Sequence, residues 1–373
     1  MKQSFQKKLN TKLVEKSLNY SWSSTGESGL VYAKYYESGG SLEEIFKNNE
    51  EFIAFDKKLK TYLKAFRTSG MDSDLYDFSE LIPDSFYDDY SEFYSKICES
   101  LVISGTKPEN YDFLAQADAL IGRIAQRCQL LEECSSSKLE RFKEQYKNID
   151  TNNVKYNLYG SKTGRLSAIE HSFPIMTMKK EFRELIIPEN DYFVELDFNS
   201  FEPRVFLSLS GHSQPQKDLH DWNNENIFNG LGYTREKAKE MIFSWLYDDK
   251  TNEKAGETYN KTLIKEKFWN GFQVSTPFGR KIESDEYHAV NYVIQSTAFD
   301  LFMRQVLKID EILRGCKSVV SFMVHDSVIL DFHRDDVNLL KEIKKTFSDT
   351  EFGLMPVNIS IGKNYGNLKK VQK

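Results

Sequence analysis

Four residues recur at a fixed spacing of four after Thr234: Arg235, Lys239, Phe243 and Tyr247. Because an α-helix has 3.6 residues per turn, this spacing places all four on one face, as a stripe about 18 Å long. Two cations stand at its N-terminal end and two aromatic rings at its C-terminal end. A polyphosphate joined to a flat base has the same polarity, so the stripe predicts a nucleoside triphosphate platform. The stripe alone does not exclude the alternative interpretation, which is an ordinary amphipathic helix.

Two aspartates stand at the ends of apolar runs. Asp197 follows the run 193–196, and Asp326 lies between the runs 322–324 and 328–330. A carboxylate in such surroundings is costly to desolvate unless it is paired or bound to a metal. Magnesium prefers hard oxygen ligands, and a two-metal site stabilises the attacking and leaving oxygens of a phosphoryl displacement. Either aspartate alone is equally typical of a turn residue, but together with the stripe the pair predicts nucleotidyl transfer.

These residues require strands and helices that bring them together. Three segments are of strand type: YFVELDF (192–198), VVSFMVHDSVILDF (319–332, two strands around the tip His325-Asp326-Ser327) and VNISIG (357–362). Helical periodicity predicts helices over about 42–66, 234–248, 285–314 and 335–347. Residues 110–150 have a helical pattern throughout, which predicts two antiparallel helices joined at the serine turn 135–137.

Composition bounds the class of protein. The 373 residues are 40% hydrophobic and 28% charged, which is ordinary for a globular protein of two or three subdomains. No run of 18 apolar residues predicts a membrane span, and the basic N-terminus lacks the apolar core of a secretory signal. The four cysteines have no CxxC spacing, so no zinc site is predicted and a reducing compartment is expected. We therefore expect a cytoplasmic protein with no membrane partner.

The negative charge is concentrated in the N-terminal part. Residues 1–150 hold 20 Lys and Arg against 25 Asp and Glu, whereas the net charge of the whole chain is −6. Much of this acidity lies in residues 71–94, which would repel a phosphate backbone. The segment is interpreted as a solvated acidic surface, with a partner-docking segment as the alternative.

Seven segments occur in an order that a known family shares. They are TGRLSA (163–168), DFNSFEPR (197–204), LHDWNNENIF (219–228), REKAKEMIFSWLYD (235–248), NYVIQSTAFD (291–300), MVHDS (323–327) and VNISIGKNYG (357–366). From about residue 157 to the C-terminus, the chain resembles the family A DNA polymerases, which include bacterial DNA polymerase I and many phage replicases. The resemblance implies template-directed addition of dNTPs to a primer 3′ end, with primer-template DNA as the partner.

The resemblance also implies a role for each matching residue. Asp197, Asp326 and the backbone carbonyl of Phe198 would hold two Mg²⁺ ions, for which Mn²⁺ could substitute. Three side chains would bind the triphosphate: Lys239, Arg235 and His220. Lys239 would also protonate the leaving pyrophosphate. Three more would shape the nucleotide site. Phe243 would pack on the incoming sugar and base, and Tyr247 would stack at the templating position. Glu202, hydrogen-bonded to Tyr247, would exclude ribose.

A last group would bind DNA: Arg165, Asn291, Gln295 and His325 would contact the primer terminus and the minor groove. Arg204 would also contact the DNA. Side chains of these types can reach the N3 and O2 acceptors that all base pairs share in that groove. A polymerase must test pair geometry without reading sequence, so such contacts suit it.

The fold implied by the resemblance is an α+β right-hand polymerase fold, with an antiparallel-sheet palm, a helical thumb and short helical fingers. Its divisions would be 1–65 (an N-terminal accessory region), 66–155 (acidic segment and thumb), 156–215 (palm), 216–284 (fingers) and 285–373 (palm). The chain departs from the family pattern at five positions: Ser200, Pro203, Ser244, Asp248 and Ser327. None of these changes removes a proposed metal ligand or phosphate-binding cation.

Two other functions remain open from the sequence. A single-subunit RNA polymerase shares the palm and often has Ser after the catalytic Asp, as Ser327 follows Asp326 here. A non-catalytic DNA-binding or assembly protein could keep the fold, although such a protein would be expected to lose a carboxylate or the lysine. No Asp-x-Glu occurs in residues 1–65, so no intrinsic 3′–5′ proofreading is expected. A separate exonuclease or processivity factor would be a partner.

Overall fold

The computed structural model of the chain describes residues 48–69, 81–90, 93, 110–124 and 129–371, with gaps in the last range at 131–135, 148, 150–152, 159–160 and 248–252. It also gives the backbone of residues 13–16 and 19–22. The predicted helix start near residue 42, most of the acidic segment 71–94, Asp248 and three of the cysteines lie outside the described residues.

The strands and helices follow one another in mixed order. The strands are β1 Leu13–Lys16, β2 Asn19–Trp22, β3 Gln129–Leu130, β4 Tyr156–Asn157, β5 Ser167–Ala168, β6 Ile186–Ile187, β7 Tyr192–Phe198, β8 Gln273–Ser275, β9 Lys281–Glu283, β10 Val319–Val324, β11 Ser327–Phe332, β12 Asp349–Thr350, β13 Gly353–Leu354, β14 Val357–Gly362 and β15 Lys369–Lys370. The α-helices are α1 Glu50–Thr68, α2 Tyr111–Arg123, α3 Ser136–Gln145, α4 Phe201–Leu209, α5 Leu219–Asn226, α6 Arg235–Tyr247, α7 Glu253–Thr258, α8 Lys261–Phe268, α9 Glu286–Ile312 and α10 Leu340–Ser348. Short 3₁₀ helices cover Lys180–Leu185 and Arg334–Leu339.

A five-stranded antiparallel sheet is the largest sheet of the described structure. Its order is β10–β11–β7–β14–β15, which places β7 in the middle. Asp197 on β7 lies opposite Asn358 on β14, and Glu195 lies opposite Ser360, which in turn lies opposite Lys370 on β15. Because paired residues share a face and side chains alternate, all five point to the same side of the sheet. The register therefore gathers polar groups on one face.

The other face of β7 is apolar and anchors the sheet. Leu196 and Phe198 are at most 2% exposed. Phe198 stacks on Phe201 of α4 and on Phe347 of α10, each with ring centroids 4.3 Å apart. This sandwich of three rings fixes the end of β7, so the residue before Phe198, Asp197, is held on a rigid element.

Helix α9 is the longest helix of the described residues and packs against α2, α4, α8 and α10. Its buried residues run from Ala289 to Ile309, which is typical of a helix enclosed on several sides. Its Asp300 is fully buried and forms an ion pair with Arg280, whose Nη2 lies 2.6 Å from the carboxylate. The ion pair ties α9 to the β8–β9 hairpin.

A second, smaller cluster of buried residues lies under α1 and the helical residues 84–90, and includes Phe52, Leu59, Phe86 and Tyr90. Arg123 of α2 forms ion pairs with both Asp88 and Asp310.

In the parts of the chain that are described, no helix is long and apolar enough to cross a membrane.

Most of the predicted elements that fall in described residues are confirmed, and the sheet is antiparallel as expected. Strand β7, helices α6 and α9, the β10–β11 pair and β14 all lie where the patterns predict them. Ser327, predicted to lie in the turn between the two strands, is instead the first residue of β11.

Two predictions about helices need correction. The helical pattern over 110–150 is wrong only between its two helices: α2 ends at Arg123, Gln129–Leu130 forms a strand paired with Ile186–Ile187, and α3 then covers Ser136–Gln145. Local periodicity cannot detect a partner strand that lies 56–58 residues away in the sequence. The predicted helix over 335–347 begins as the 3₁₀ turn Arg334–Leu339 and becomes α-helical at Leu340.

Candidate active site

The ends of β7 and β14, the β10–β11 turn and helices α4, α5, α6 and α9 surround a cavity of about 720 Å³. Twelve predicted site residues line it: Arg165, Asp197, Phe198, Glu202, His220, Arg235, Lys239, Phe243, Tyr247, Gln295, His325 and Asp326. Segments as distant in sequence as 165 and 326 therefore converge on one site. Two predicted residues, Asn291 and Arg204, do not line it.

The two aspartates meet at the floor of this cavity. Asp197 lies opposite Ser327 in the β7–β11 register, so Asp326 is next to its partner. Burial, followed by the charge of Asp197, raises the pKa of Asp326 to about 6. Burial also raises the pKa of Asp197, while a 3.3 Å hydrogen bond from Asn358 Nδ2 and the charge of Lys370 oppose the rise. The site thus holds two carboxylates that destabilise each other when both are ionised.

This pair fits divalent cations that bring other ligands with them. Among the described residues, no group of three or more His, Cys, Asp or Glu side chains could hold a metal by itself, and neither aspartate forms an ion pair with a basic side chain. Magnesium is commonly bound by one or two carboxylates together with waters and substrate phosphates. The donor set of Asp197, Asp326 and the Phe198 carbonyl suits that mode and not a preformed protein cage.

The predicted stripe is one face of α6, and it faces the cavity. The buried residues of α6, which are Ala238, Ile242 and Leu246, form an adjacent row about 60–100° around the helix from the stripe. Lys239 is exposed, with Nζ 5.7 Å from the centre of the Phe243 ring. The rings of Phe243 and Tyr247 are stacked, with centroids 5.9 Å apart. A cation followed by two stacked rings therefore borders the carboxylate floor.

At the N-terminal end of the stripe, Arg235 is paired with Asp218. Arg235 Nε and Nη2 donate to the two carboxylate oxygens at 3.1 and 2.7 Å. Asp218 also caps α5 by accepting from the backbone N–H groups of His220 and Asp221, and it accepts from Asn199 Nδ2. Burial alone would raise the pKa of Asp218, but the hydrogen bonds from Arg235 and Asn199 hold that pKa well below its usual range. One carboxylate thus joins the end of β7 to α5 and α6.

At the C-terminal end of the stripe, Tyr247 donates a hydrogen bond to Glu202 of α4. Arg165 Nη1 lies 3.3 Å from the other carboxylate oxygen of Glu202. Burial, and then the charge of Glu202, raises the pKa of Tyr247. Tyr247 therefore remains a neutral donor at all physiological pH values, and the predicted bond to Glu202 is present in the structure.

Histidines 220 and 325 occupy opposite sides of the cavity. His325 has a φ of 56° in the turn beside Asp326, and burial, then the charge of Arg165, lowers its pKa. His220 is only 2% exposed, and burial lowers its pKa to about 4, so its ring is neutral at pH 7. Its Nε2 lies 3.0 Å from Ser200 Oγ.

The predicted contact of Arg204 with DNA needs correction. Arg204 is 0% exposed. Its guanidinium donates to three backbone carbonyls, those of Asn199, Pro215 and Lys217, at 2.7–2.8 Å. Burial lowers its pKa to about 10 without removing its charge at neutral pH. Its role is to hold the segment before α5 against the start of α4, since a buried guanidinium cannot reach a nucleic acid.

Asn291 remains a predicted DNA contact that the structure leaves outside the cavity. It is half-buried on α9, and its Oδ1 has no hydrogen-bond partner among the described residues. Gln295, one helical turn further along, does line the cavity.

Sequence reasoning missed five polar or charged residues that line the cavity: Asn199, Ser200, Asp218, Asn358 and Lys370. Asp218 had a usable signal, because an aspartate just before a helical segment is a preferred N-cap residue. Asn358 and Lys370 had none, since their place depends on the register of β14 and β15 against β7.

No protein-family model and no curated protein matches this chain. Among solved structures, it is similar to the POL domain of Pol1 from M. smegmatis, in complex with a DNA primer-template and dNTP. The two chains superpose with a TM-score of 0.52 at 15% sequence identity, over 84% of this chain and 65% of that chain. The chain thus spans less than two thirds of the matched one, and the likeness shows a polymerase-like fold.

Proposed function

We propose that this protein is a template-directed DNA polymerase that adds dNTPs to a primer 3′ end by two-metal nucleotidyl transfer. One observation carries the proposal: the fold brings the Asp197–Asp326 floor against the α6 stripe in a single cavity. A carboxylate pair, a cationic end and stacked rings match a metal-bound triphosphate joined to a base. The polymerase-like fold supports the same conclusion.

In this proposal, the five-stranded sheet is the palm, helices α5–α8 belong to the fingers, and α2 and α3 belong to the thumb. Asp197, Asp326 and the Phe198 carbonyl would hold two Mg²⁺ ions, or Mn²⁺ in their place. The ions would supply activation of the primer 3′-hydroxyl and charge neutralisation at the leaving pyrophosphate. The other residues bind and position the reactants.

The nucleotide would lie along α6. Lys239 is free to approach the phosphates because it is exposed at the cavity, and it would donate a proton to the leaving pyrophosphate. Arg235 would contact the phosphates from its position beside Asp218. Phe243 would pack on the sugar and base, and Tyr247 would stack at the templating position. Phosphoryl transfer depends mainly on such positioning and charge neutralisation.

Discrimination against ribose would come from Glu202. Its carboxylate is held between Tyr247 and Arg165, so it cannot easily move to make room for a 2′-hydroxyl. Arg165, Gln295 and His325 line the cavity beyond it and would contact the primer terminus and the minor groove.

Primer extension tests the proposal. A 5′-labelled primer-template with Mg²⁺ and dNTPs should be extended by the wild type and not detectably by Asp326→Asn, which should still bind the duplex. As a matched control, Asp335→Asn changes an exposed carboxylate on the far 3₁₀ turn and should extend normally. Equal extension with rNTPs would favour an RNA polymerase, and equal activity of Asp326→Asn would overturn the proposed site.

The proposal includes the lack of 3′–5′ proofreading in this chain. A primed template incubated with Mg²⁺ but without dNTPs should stay intact, and rapid 3′ shortening would contradict this part.

A further inference from the structure

Ser200 occupies a strained position at the edge of the cavity. It lies between β7 and α4 with φ 55° and ψ 55°, the left-handed conformation. That conformation costs a non-glycine residue roughly 1–2 kcal/mol. Ser200 lines the cavity together with the two stripe cations, Arg235 and Lys239. Ser200 therefore borders the same cavity as the two cations that the proposal assigns to the phosphates.

The Ser200 hydroxyl does not perform the usual task of a serine at a helix start. A serine in the N-cap position normally accepts a hydrogen bond from the N–H of the second or third helical residue. The third residue of α4 is Pro203, which has no N–H, and no side-chain cap bond is formed. The Ser200 hydroxyl instead lies 3.0 Å from His220 Nε2.

The burial of His220 indicates which of its nitrogens carries the proton. The ring is 2% exposed, and Nδ1 has no hydrogen-bond partner among the described residues. A proton on Nδ1 would be a buried donor without an acceptor, whereas a proton on Nε2 can be donated to Ser200 Oγ. The Nε2–H tautomer is therefore favoured, and Ser200 Oγ is the acceptor in this pair.

The proton of the Ser200 hydroxyl must then go to another acceptor. Within the described residues, Ser200 Oγ has no hydrogen-bond partner besides His220 Nε2. The neighbouring carboxylate of Asp218 already accepts from Arg235, Asn199 and two backbone N–H groups. The cavity is the remaining direction, and it is bordered by Arg235 and Lys239, whose charges favour an anionic oxygen as the acceptor.

We infer that the Ser200 hydroxyl donates a hydrogen bond to a non-bridging oxygen of the β- or γ-phosphate of the bound nucleotide, and that His220 acts through Ser200 as a positioning residue. This inference deepens the proposed function and rests on it. It replaces the sequence-based prediction that His220 itself contacts the triphosphate. The buried ring orients the hydroxyl by donating to it, and the hydroxyl makes the contact.

Binding measurements on four variants test this relay. Inorganic tripolyphosphate, dNTP and dNMP are titrated with Mg²⁺ into the full chain bound to a dideoxy-terminated primer-template. Ser200→Gly, which also relieves the left-handed strain, should weaken tripolyphosphate and dNTP binding about tenfold or more and leave dNMP binding unchanged. His171→Gly is the matched control, because His171 has a φ of 62° outside the cavity and should bind like the wild type.

The third variant is His220→Ala, and the fourth combines His220→Ala with Ser200→Gly; together they separate a direct contact from a relay. His220→Ala should weaken binding when Ser200 is present and should have no further effect when it is combined with Ser200→Gly. The same loss in both backgrounds would show that His220 contacts the phosphate itself, and unchanged binding by Ser200→Gly would overturn the contact.

Nitrogen chemical shifts of labelled His220 give a readout independent of activity. They should report Nε2–H in the wild type and a mixture of tautomers in Ser200→Gly. An Nδ1–H ring in the wild type would overturn the relay. If the wild type extends no primer but Ser200→Gly still weakens tripolyphosphate binding, the polymerase proposal fails and the Ser200 contact stands. If the wild type extends a primer normally and Ser200→Gly binds tripolyphosphate with unchanged affinity, only the proposed Ser200 contact is wrong.

Discussion

At the scale of single residues, the cavity places Asp197 and Asp326 where each raises the free energy of the other. The cost is visible in the pKa of Asp326, which burial and the charge of Asp197 raise to about 6. Under the proposed function, the site sacrifices stability for the ability to bind cations, and such a loss of stability is common at functional sites.

Asp326→Asn should therefore stabilise the metal-free protein while abolishing extension. The raised pKa corresponds to at most about 3 kcal/mol in the free energy of unfolding. The folded state binds this proton more tightly than the unfolded state, so the wild type loses stability as the pH rises through about 6. The gain from the substitution should be full above that pH and absent below about pH 4.

Urea unfolding in EDTA at pH 8 and pH 4 checks this expectation. Asp335→Asn is again the control, because its exposed carboxylate is paired with Lys317 and its pKa is lowered. Asp335→Asn should not increase the free energy of unfolding at pH 8. A destabilised Asp326→Asn would contradict the like-charge interpretation.

Glu202 is the residue on which sugar discrimination should depend. Glu202→Ala removes the acceptor of Tyr247 and the obstacle to a 2′-hydroxyl, so the ratio of dNTP to rNTP incorporation should fall by about tenfold or more. Single-nucleotide incorporation kinetics measure the ratio, with Glu240→Ala on the outer face of α6 as the control. An unchanged ratio would remove Glu202 from that role.

At the scale of elements, helix α6 is fastened at both ends. Its first residue, Arg235, is bound to Asp218 at the start of α5, and its last, Tyr247, is bound to Glu202 of α4. Between these points, its polar and aromatic stripe faces the cavity. The ion pair at the N-terminal end also engages the cation that the proposal assigns to the phosphates.

Asp218→Asn should separate the charge of this junction from its cap. Asparagine is as good an N-cap as aspartate, so α5 should keep its start while Arg235 loses its ion partner. Because the pair is partly exposed, the loss of stability should be only about 1 kcal/mol. With Arg235 released, dNTP affinity should increase.

Asp218→Ala, which also removes the cap, should cost about 1 kcal/mol more than Asp218→Asn. Thermal unfolding and dNTP titration measure both quantities. Weaker dNTP binding by Asp218→Asn would show that the ion pair positions Arg235 for the phosphates and does not compete with them.

At the scale of the whole molecule, segments of the second half of the chain are held around one cavity by a single core. This core extends from Phe113 to Tyr365 and includes both sides of the sheet. Binding at the cavity therefore stabilises the folded state of this entire region.

Magnesium should raise the unfolding temperature of the wild type by neutralising the carboxylate pair. At a concentration 100 times its dissociation constant, a ligand that binds only the folded state adds about 2.7 kcal/mol. The double variant Asp197→Asn with Asp326→Asn should show no such rise, and EDTA should reverse it in the wild type. Scanning calorimetry measures the effect, and an equal rise in the double variant would place the cation elsewhere.

Prediction from sequence succeeded where a property is local. The spacing from Arg235 to Tyr247 and the apolar runs around Asp197 and Asp326 each lie within one element, so periodicity and composition were sufficient. It failed at Arg204, because an arginine on a helix is usually exposed and its three carbonyl acceptors lie in a loop that no local pattern describes. Strand β3 was missed for the same reason, since its partner lies near residue 186.

By itself, the sequence determined the types of the elements and the chemistry that their faces carry. Only the tertiary structure decided which faces meet: that Asp218 neutralises Arg235, that Lys370 reaches the carboxylate floor, and that a buried His220 turns to Ser200. The physical reason is that helical hydrogen bonds and the periodicity of an element's faces depend on residues close in sequence. Burial, ion pairing and pKa depend on segments that are distant in the chain and close only after folding.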